Sequence, residues 1–302
     1  MKSRFIVSVP FTGLGLYGGF RGNRWLRNRI TVFKEFVVKS LLKQTDQDFV
    51  LWISWREEER ENQHVQQLYK WLKWNTPWPV VFTYTGVPFW DDKYDDETAY
   101  QRLFTTLHNG LPELFDFVSD CDEIQWLLQP SDDIYTIDTI AKMKGVFAKN
   151  KDVQAIGHKR GYICNYTTGE LKQYNPKTNP PFFAIRFPKT VFFDVREHLK
   201  YTGPYKSHEY VVDYLKMHIL EERGFLVGTH GENISTHFNH PYGQDVADVS
   251  VYKEFGIEKP SIKLPISYRK WLMRKLPHQW QRKLRYIFGE LIYSRFYNWI
   301  RN

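Results

Sequence analysis

The 302 residues suffice for one large α/β domain or two small ones, and 42% hydrophobic with 25% charged residues is ordinary for a globular enzyme. Cys121 and Cys164, the only cysteines, lie outside any Cys-x-x-Cys pair, which excludes a disulfide framework and a zinc ribbon and fits a reducing compartment. The net charge of +8 is uneven: residues 259–302 hold eleven Lys or Arg against one acid, so that segment carries +10 and the first 258 residues −2.

The N-terminus runs straight into the apolar stretch Phe5 to Val9, too short for a signal peptide, and reads as a first buried strand ending at Pro10. A glycine-rich loop follows (Gly13, Gly15, Gly18, Gly19, Gly22). It lacks both a P-loop and a clean dinucleotide fingerprint, and its glycines suit either close ligand approach or a mobile loop. Leu26, Ile30, Phe33, Val37 and Leu41 recur at helical spacing and predict an amphipathic helix over 25–44. Strands are predicted at 49–54, 80–84 and 124–128, with helices at 57–74 and 96–118 between them. This alternation predicts a mostly parallel α/β sheet flanked by helices, with right-handed crossovers. Ligands of such sheets bind beyond the carboxyl ends of the strands.

After residue 150 the pattern changes. Short strands are predicted at 153–156, 162–166, 182–187 and 225–229, with a helix over 208–222. No stretch of about 18 apolar residues occurs, so no transmembrane helix is expected. Aromatic residues reach 17%, which suits sugar or base ligands but equally a plain core.

The strongest chemical motif is Ser131-Asp132-Asp133 at the end of the fourth strand. Carboxylates at a strand end can hold a divalent metal that neutralises a leaving diphosphate; the competing reading is a cap on a helix starting near Ile137. Asp91-Asp92 and Asp95-Asp96 form an acidic patch that is assigned no metal.

Three segments carry a resemblance. Residues 25–33 and the stretch from Ser40 to Val50, the Asp132-Asp133 pair, and residues 228–236 with their His-Gly-x-Asn-x-Ser ending are together similar to the rhamnosyltransferase group of GT-A glycosyltransferases, over about residues 4–240. That resemblance implies a Rossmann-like GT-A domain over 1–255 and a hexosyltransferase acting on a nucleotide-sugar donor, rhamnose by the family's name. It implies transfer with inversion to a glycan or lipid-linked acceptor, in polysaccharide biosynthesis. Donor-site candidates are Pro10, Phe11, Arg29, Arg102, Ser131 and Asp132. Metal candidates for Mn2+ or Mg2+ are Asp132, Asp133 and His237. The family has Asp-x-Asp-Asp where this chain begins with Pro130. That departure leaves the metal weak or dispensable, with Arg21, Arg24, Arg29 or Arg102 as alternative partners of the diphosphate, or simply as solvated surface.

An inverting transferase needs a general base. Ser207-His208-Glu209 stands where the family places its acid: Glu209 is the first choice, His208 the second and Asp213 the third. The alternative is ordinary helix N-terminal chemistry. His230, His237 and His240 could complete a metal shell or bind the diphosphate, or serve structurally.

Residues 256–302 form a basic tail in which Trp280, Leu284, Ile287, Phe288, Leu291 and Trp299 share one helical face. This predicts docking on an anionic membrane surface, or against the domain itself; nucleic acid suits so apolar a tail less. The implied location is cytoplasmic and peripheral at the inner face of the membrane. The competing function is a catalytically inactive GT-A-like module that binds carbohydrate or a partner.

Overall fold

The computed structural model describes residues 2–13, 22–87, 95–178, 180–202, 211–231, 233, 238 and 243–265. Strand β1 (Ser3–Val9) is followed by helix α1 (Asn23–Val32), which continues through a π-helical stretch (Phe33–Val38) into α2 (Lys39–Leu42). Next come β2 (Val50–Arg56), α3 (Gln63–Asn75), β3 (Val80–Gly86), α4 (Asp96–Gly110) with a 3-10 extension (Leu111–Phe117), and β4 (Glu123–Leu128). The second half holds β5 (Ile134–Tyr135), α5 (Thr139–Lys149), β6 (Ala155–Asn165), β7 (Glu170–Tyr174) and β8 (Phe183–Pro188). It closes with α6 (Lys189–Phe193), α7 (Val195–Thr202), α8 (Val211–Tyr214), β9 (Met217–Thr229) and α9 (Val251–Glu254).

These strands build one nine-stranded sheet in the order β3-β2-β1-β4-β8-β6-β9-β5, with β7 on β6. The β3-β2-β1-β4 half is parallel, as the strand–helix alternation requires. β8 then enters antiparallel to both β4 and β6. Val7, Val9, Leu51 and Ile53 pack with Leu26, Phe33, Val37 and Leu68 on one face of the sheet. Ile6, Val50, Trp52 and Trp126 pack with Leu103, Leu107, Leu111 and Leu199 on the other. A sheet covered on both faces explains why β1 and β2 read as continuous apolar runs rather than as alternations.

Several boundaries depart from the sequence expectations. The predicted helix over 57–74 begins only at Gln63; Glu57–Glu59 form a 3-10 turn, and Asn62 caps the helix by accepting from the His64 N–H at 2.9 Å. The predicted 208–222 helix is replaced, within the described residues, by the single turn of α8 and then by β9. Met217 to Leu220 pair in parallel register with Ala155 to His158 on β6, and ladder pairing there outweighs local helical pattern. The strands predicted at 153–156 and 162–166 fall within or beside one long strand, β6 (Ala155–Asn165), rather than forming two short ones. The chain from 256 to 265 lies along the domain: Ile257 is buried, the Ile262 N–H donates to the Tyr166 carbonyl at 2.8 Å, and Asn28 Nδ2 donates to the Pro265 carbonyl at 2.9 Å. The rest of the basic tail, 266–302, lies outside the described residues. Among the described residues no helix is long and apolar enough to cross a membrane, and Cys121 and Cys164 are free and buried.

Candidate functional site

The site forms because β5 pairs antiparallel with β9, Ile134 opposite Leu226, which carries the end of β9 alongside the turn that follows β4. Gly228 is the point of closest approach. A Cβ there would stand 2.3 Å from the Asp132 carbonyl oxygen and 2.2 Å from the Tyr166 ring, so only glycine lets the two segments meet. Gly228→Ala is therefore expected to lower stability by roughly 1–3 kcal/mol, an overpacking cost measurable by urea denaturation. An unchanged midpoint would contradict this close contact.

At this meeting point Arg29, from the middle of α1, reaches the turn after β4. Its Nε donates to Ser131 Oγ at 2.9 Å, Nη1 to Asp132 Oδ2 at 2.5 Å and Nη2 to Asp132 Oδ1 at 2.7 Å. Nη1 also lies 3.1 Å from His230 Nε2. A guanidinium only donates, so Nε2 accepts in this contact; Nδ1 is buried and has no hydrogen-bond partner among the described residues. Asn233 closes the cluster by donating Nδ2 to Asp132 Oδ2 at 2.9 Å and to the Gly228 carbonyl at 2.6 Å, while its Oδ1 accepts from the His230 N–H at 2.8 Å. The Tyr166 hydroxyl donates to the Asp132 carbonyl at 3.0 Å and its ring stacks on Phe36, in the π-helical stretch, at 3.8 Å between centroids. Every member of the Arg29–Asp132–His230 group is less than one-tenth exposed.

The two carboxylates are driven apart. Burial opposes ionisation of Asp132, yet the Arg29 charge and the hydrogen bonds from its guanidinium hold it below the usual range. Asp133 is pushed well above that range by burial and then by the charge of Asp132, against the hydrogen bond its Oδ1 accepts from the Gly228 N–H at 2.9 Å. Two adjacent buried carboxyls cannot both ionise cheaply, and Arg29 favours the charge on Asp132 over Asp133.

The alternative capping role of Ser131 and Asp132 does not apply: β5 intervenes, and Asp138 precedes α5, which starts at Thr139. Of the donor-site candidates, Ser131, Asp132 and Arg29 come together in this cluster. Pro10 is half-buried just beyond β1. The Phe11 ring is fully buried, stacked on Trp55 at 4.3 Å and edge-on to Phe33, so it is a core side chain and its expected ligand contact is corrected. Arg102 is half-buried on α4, outside the Arg29–Asp132 cluster. Arg24 donates to the Pro265 carbonyl at 3.4 Å. Asp95 caps α4 by accepting from the Thr98 N–H at 2.8 Å. Asp213 is exposed on α8. Glu209, His208, His237, His240 and Arg21 lie outside the described residues.

A second polar group was not singled out from the sequence. Thr12, just past β1, donates its hydroxyl to the buried Glu59 carboxylate, and the Arg56 N–H lies 3.4 Å from both. Burial lifts Glu59 above its ordinary value although the Thr12 and Arg56 contacts oppose it. The buried Arg56 guanidinium pairs with Glu58 at 3.3 Å through Nε, and its Nη1 has no hydrogen-bond partner among the described residues. The only trace in the sequence is a charged run placed directly at a strand end.

Whether the Asp132 end of the site fits a divalent metal is decided by these contacts. Both carboxylate oxygens and the His230 Nε2 lone pair are engaged by Arg29, and the described residues contain no group of three or more His, Cys, Asp or Glu able to hold an ion. As arranged, the described residues do not fit a metal.

No protein-family model matches this sequence, and no curated protein matches it either. Among solved structures, the chain is similar to that of S. aureus TarS residues 1–349, with a TM-score of 0.40 and 12% identity over 74% of this chain and 60% of that one. A longer TarS structure matches with a TM-score of 0.38 and 11% identity over 75% of this chain and 37% of that one. The chain thus spans less than two thirds of either TarS structure. The fold is mixed α/β, a sheet flanked by helices.

Proposed function

We propose that this chain is a glycosyltransferase of the GT-A type that moves a sugar from a nucleotide donor to a glycan or lipid-linked acceptor. The carrying observation is the buried Arg29–Asp132–His230–Asn233 cluster beyond the carboxyl end of β4, next to the end of β1 in a parallel half-sheet. Crevices at that end of open α/β sheets are where nucleotides bind. The resemblance of residues 25–50, 131–133 and 228–236 to the rhamnosyltransferase group supports the same reading and suggests rhamnose and inversion. In this reading Ser131, Asp132 and Arg29 shape the diphosphate end of the donor site. Glu209 takes the proton of the acceptor hydroxyl, with His208 as the second candidate. The basic tail holds the enzyme at an anionic membrane surface on the cytoplasmic side, close to a lipid-linked acceptor. The competing reading is an inactive GT-A-like binding module, favoured by Pro130 and by an Asp132 carboxylate already engaged by Arg29.

Hydrolysis of a panel of nucleotide sugars separates the two. The wild type is expected to hydrolyse at least one donor, and Asp132→Asn to reduce that rate by roughly 100-fold or more. In transfer assays Glu209→Gln is expected to lower kcat by about 100-fold or more, the ordinary contribution of a general base. An Asp132→Asn protein as active as the wild type would place the donor site elsewhere.

A further inference from the structure

We propose that Arg29 is the resident cation of this site, standing between Asp132 and His230 where a divalent ion would otherwise bind, so that nucleotide binding here needs no metal. The proposal deepens the nucleotide-sugar reading of the same cluster and rests on it.

The geometry of the two donor atoms comes first. Asp132 Oδ2 and His230 Nε2 lie 3.4 Å apart. Two ligand atoms bound to one ion at about 2.1 Å are themselves roughly 3–3.5 Å apart, so this pair has the bite of a metal site. The atom that touches both is Arg29 Nη1, at 2.5 Å and 3.1 Å. It consumes the lone pairs an ion would need.

The guanidinium is also held too firmly to be an incidental visitor. Nη2 takes the other Asp132 oxygen at 2.7 Å, Nε is fixed by Ser131 at 2.9 Å, and the side chain springs from the interior of α1. Asn233 occupies a further acceptor direction on Oδ2. A bidentate, charge-assisted pair buried on both sides is costly to open, because the displaced charge would lose a close counter-ion in a dry environment. Among the described residues no neighbour replaces Asp132: the Asp133 Oδ1 is engaged by the Gly228 N–H, and Pro130 has no side-chain donor atom. Arginine suits this role better than lysine, since its planar fork matches the carboxylate while one nitrogen still reaches the imidazole.

The test uses Mn2+ itself, followed by electron paramagnetic resonance, together with calorimetric titration of nucleoside diphosphates with and without EDTA, on the full chain. Wild type is expected to hold no tightly bound Mn2+, and any nucleoside diphosphate it binds should show the same affinity, within twofold, in Mn2+ and in EDTA. Arg29→Met, which vacates the position between Asp132 and His230, is expected to gain one Mn2+ per chain, and Arg29→Met/Asp132→Asn to lose it again. A wild-type chain that holds Mn2+ at a site removed by Asp132→Asn would overturn the proposal. So would a folded Arg29→Met that takes up no Mn2+, because Arg29 would then not be what keeps the ion out. Should Arg29→Met not fold, the wild-type and Asp132→Asn titrations decide alone. Nucleotide that fails to bind in either condition counts against the nucleotide-sugar reading; the Mn2+ result separately tests the role of Arg29.

Discussion

Arg29→Met is expected to destabilise the protein by roughly 3–5 kcal/mol, the usual cost of removing one partner from a buried ion pair. The mechanism is the isolation of Asp132 rather than the loss of Arg29 packing. Its carboxylate is 9% exposed and, among the described residues, keeps the Asn233 amide and the His230 ring as close partners. Adding Asp132→Asn to Arg29→Met is therefore expected to recover much of the loss, a strong coupling that urea denaturation of the two single variants and the double variant would measure. Because ion binding stabilises the folded state, Mn2+ should also raise the melting temperature of Arg29→Met while leaving the wild type unmoved. A loss below about 1 kcal/mol, or no coupling with Asp132→Asn, would mean that the pair does not organise the site.

Acidification is expected to weaken the fold between pH 6.5 and 4. His198 is buried among Trp126, Phe187 and Phe192 and donates Nδ1 to the Phe192 carbonyl at 3.0 Å, and burial pushes its pKa down to about 4. His158 lies beneath β9, where a Cβ on Gly224 would meet its ring, and burial likewise lowers it to about 4 although Glu222 and Asp138 nearby act the other way. A histidine that resists protonation when folded is protonated first in the unfolded chain. The contribution is full above pH 6.5 and is lost as pH falls toward 4, by roughly 3 kcal/mol per residue. Urea midpoints measured from pH 7.5 to 4.5 should fall accordingly, and His198→Leu should flatten about half of that slope even though it lowers stability overall. A wild-type midpoint independent of pH over this range would contradict the burial of both rings.

Both sites illustrate what the sequence could and could not convey. The parallel half was legible because Phe5 to Val9, Phe49 to Ser54 and Ile124 to Leu128 are apolar runs separated by helical periodicities, and a doubly covered sheet imposes that pattern. The last part of β9, 225–229, was legible as an apolar strand, but its first part was not, because Met217 to Arg223 is charged and helix-compatible and becomes a strand only through its ladder with β6. β5 has two residues and no pattern of its own, yet it places Gly228 against Asp132. The Asp132-Asp133 pair and Arg29 were each visible as candidates. Their pairing, 103 positions apart, was not, since a guanidinium at a strand end can equally face solvent or phosphate. The same holds for Asn233 and for Glu59, whose importance lies in burial. Phe11 misled for the opposite reason: it adjoins the ligand end of β1, but its ring turns inward onto Trp55.

The central claim is that the cluster around Asp132 binds a nucleotide, and calorimetric titration of the full chain with a panel of nucleoside diphosphates tests it most directly. One-site, saturable binding of at least one member is predicted, weakened at least tenfold, about 1.4 kcal/mol, by Asp132→Asn. Absence of binding by every member, in Mn2+ and in EDTA alike, would contradict it.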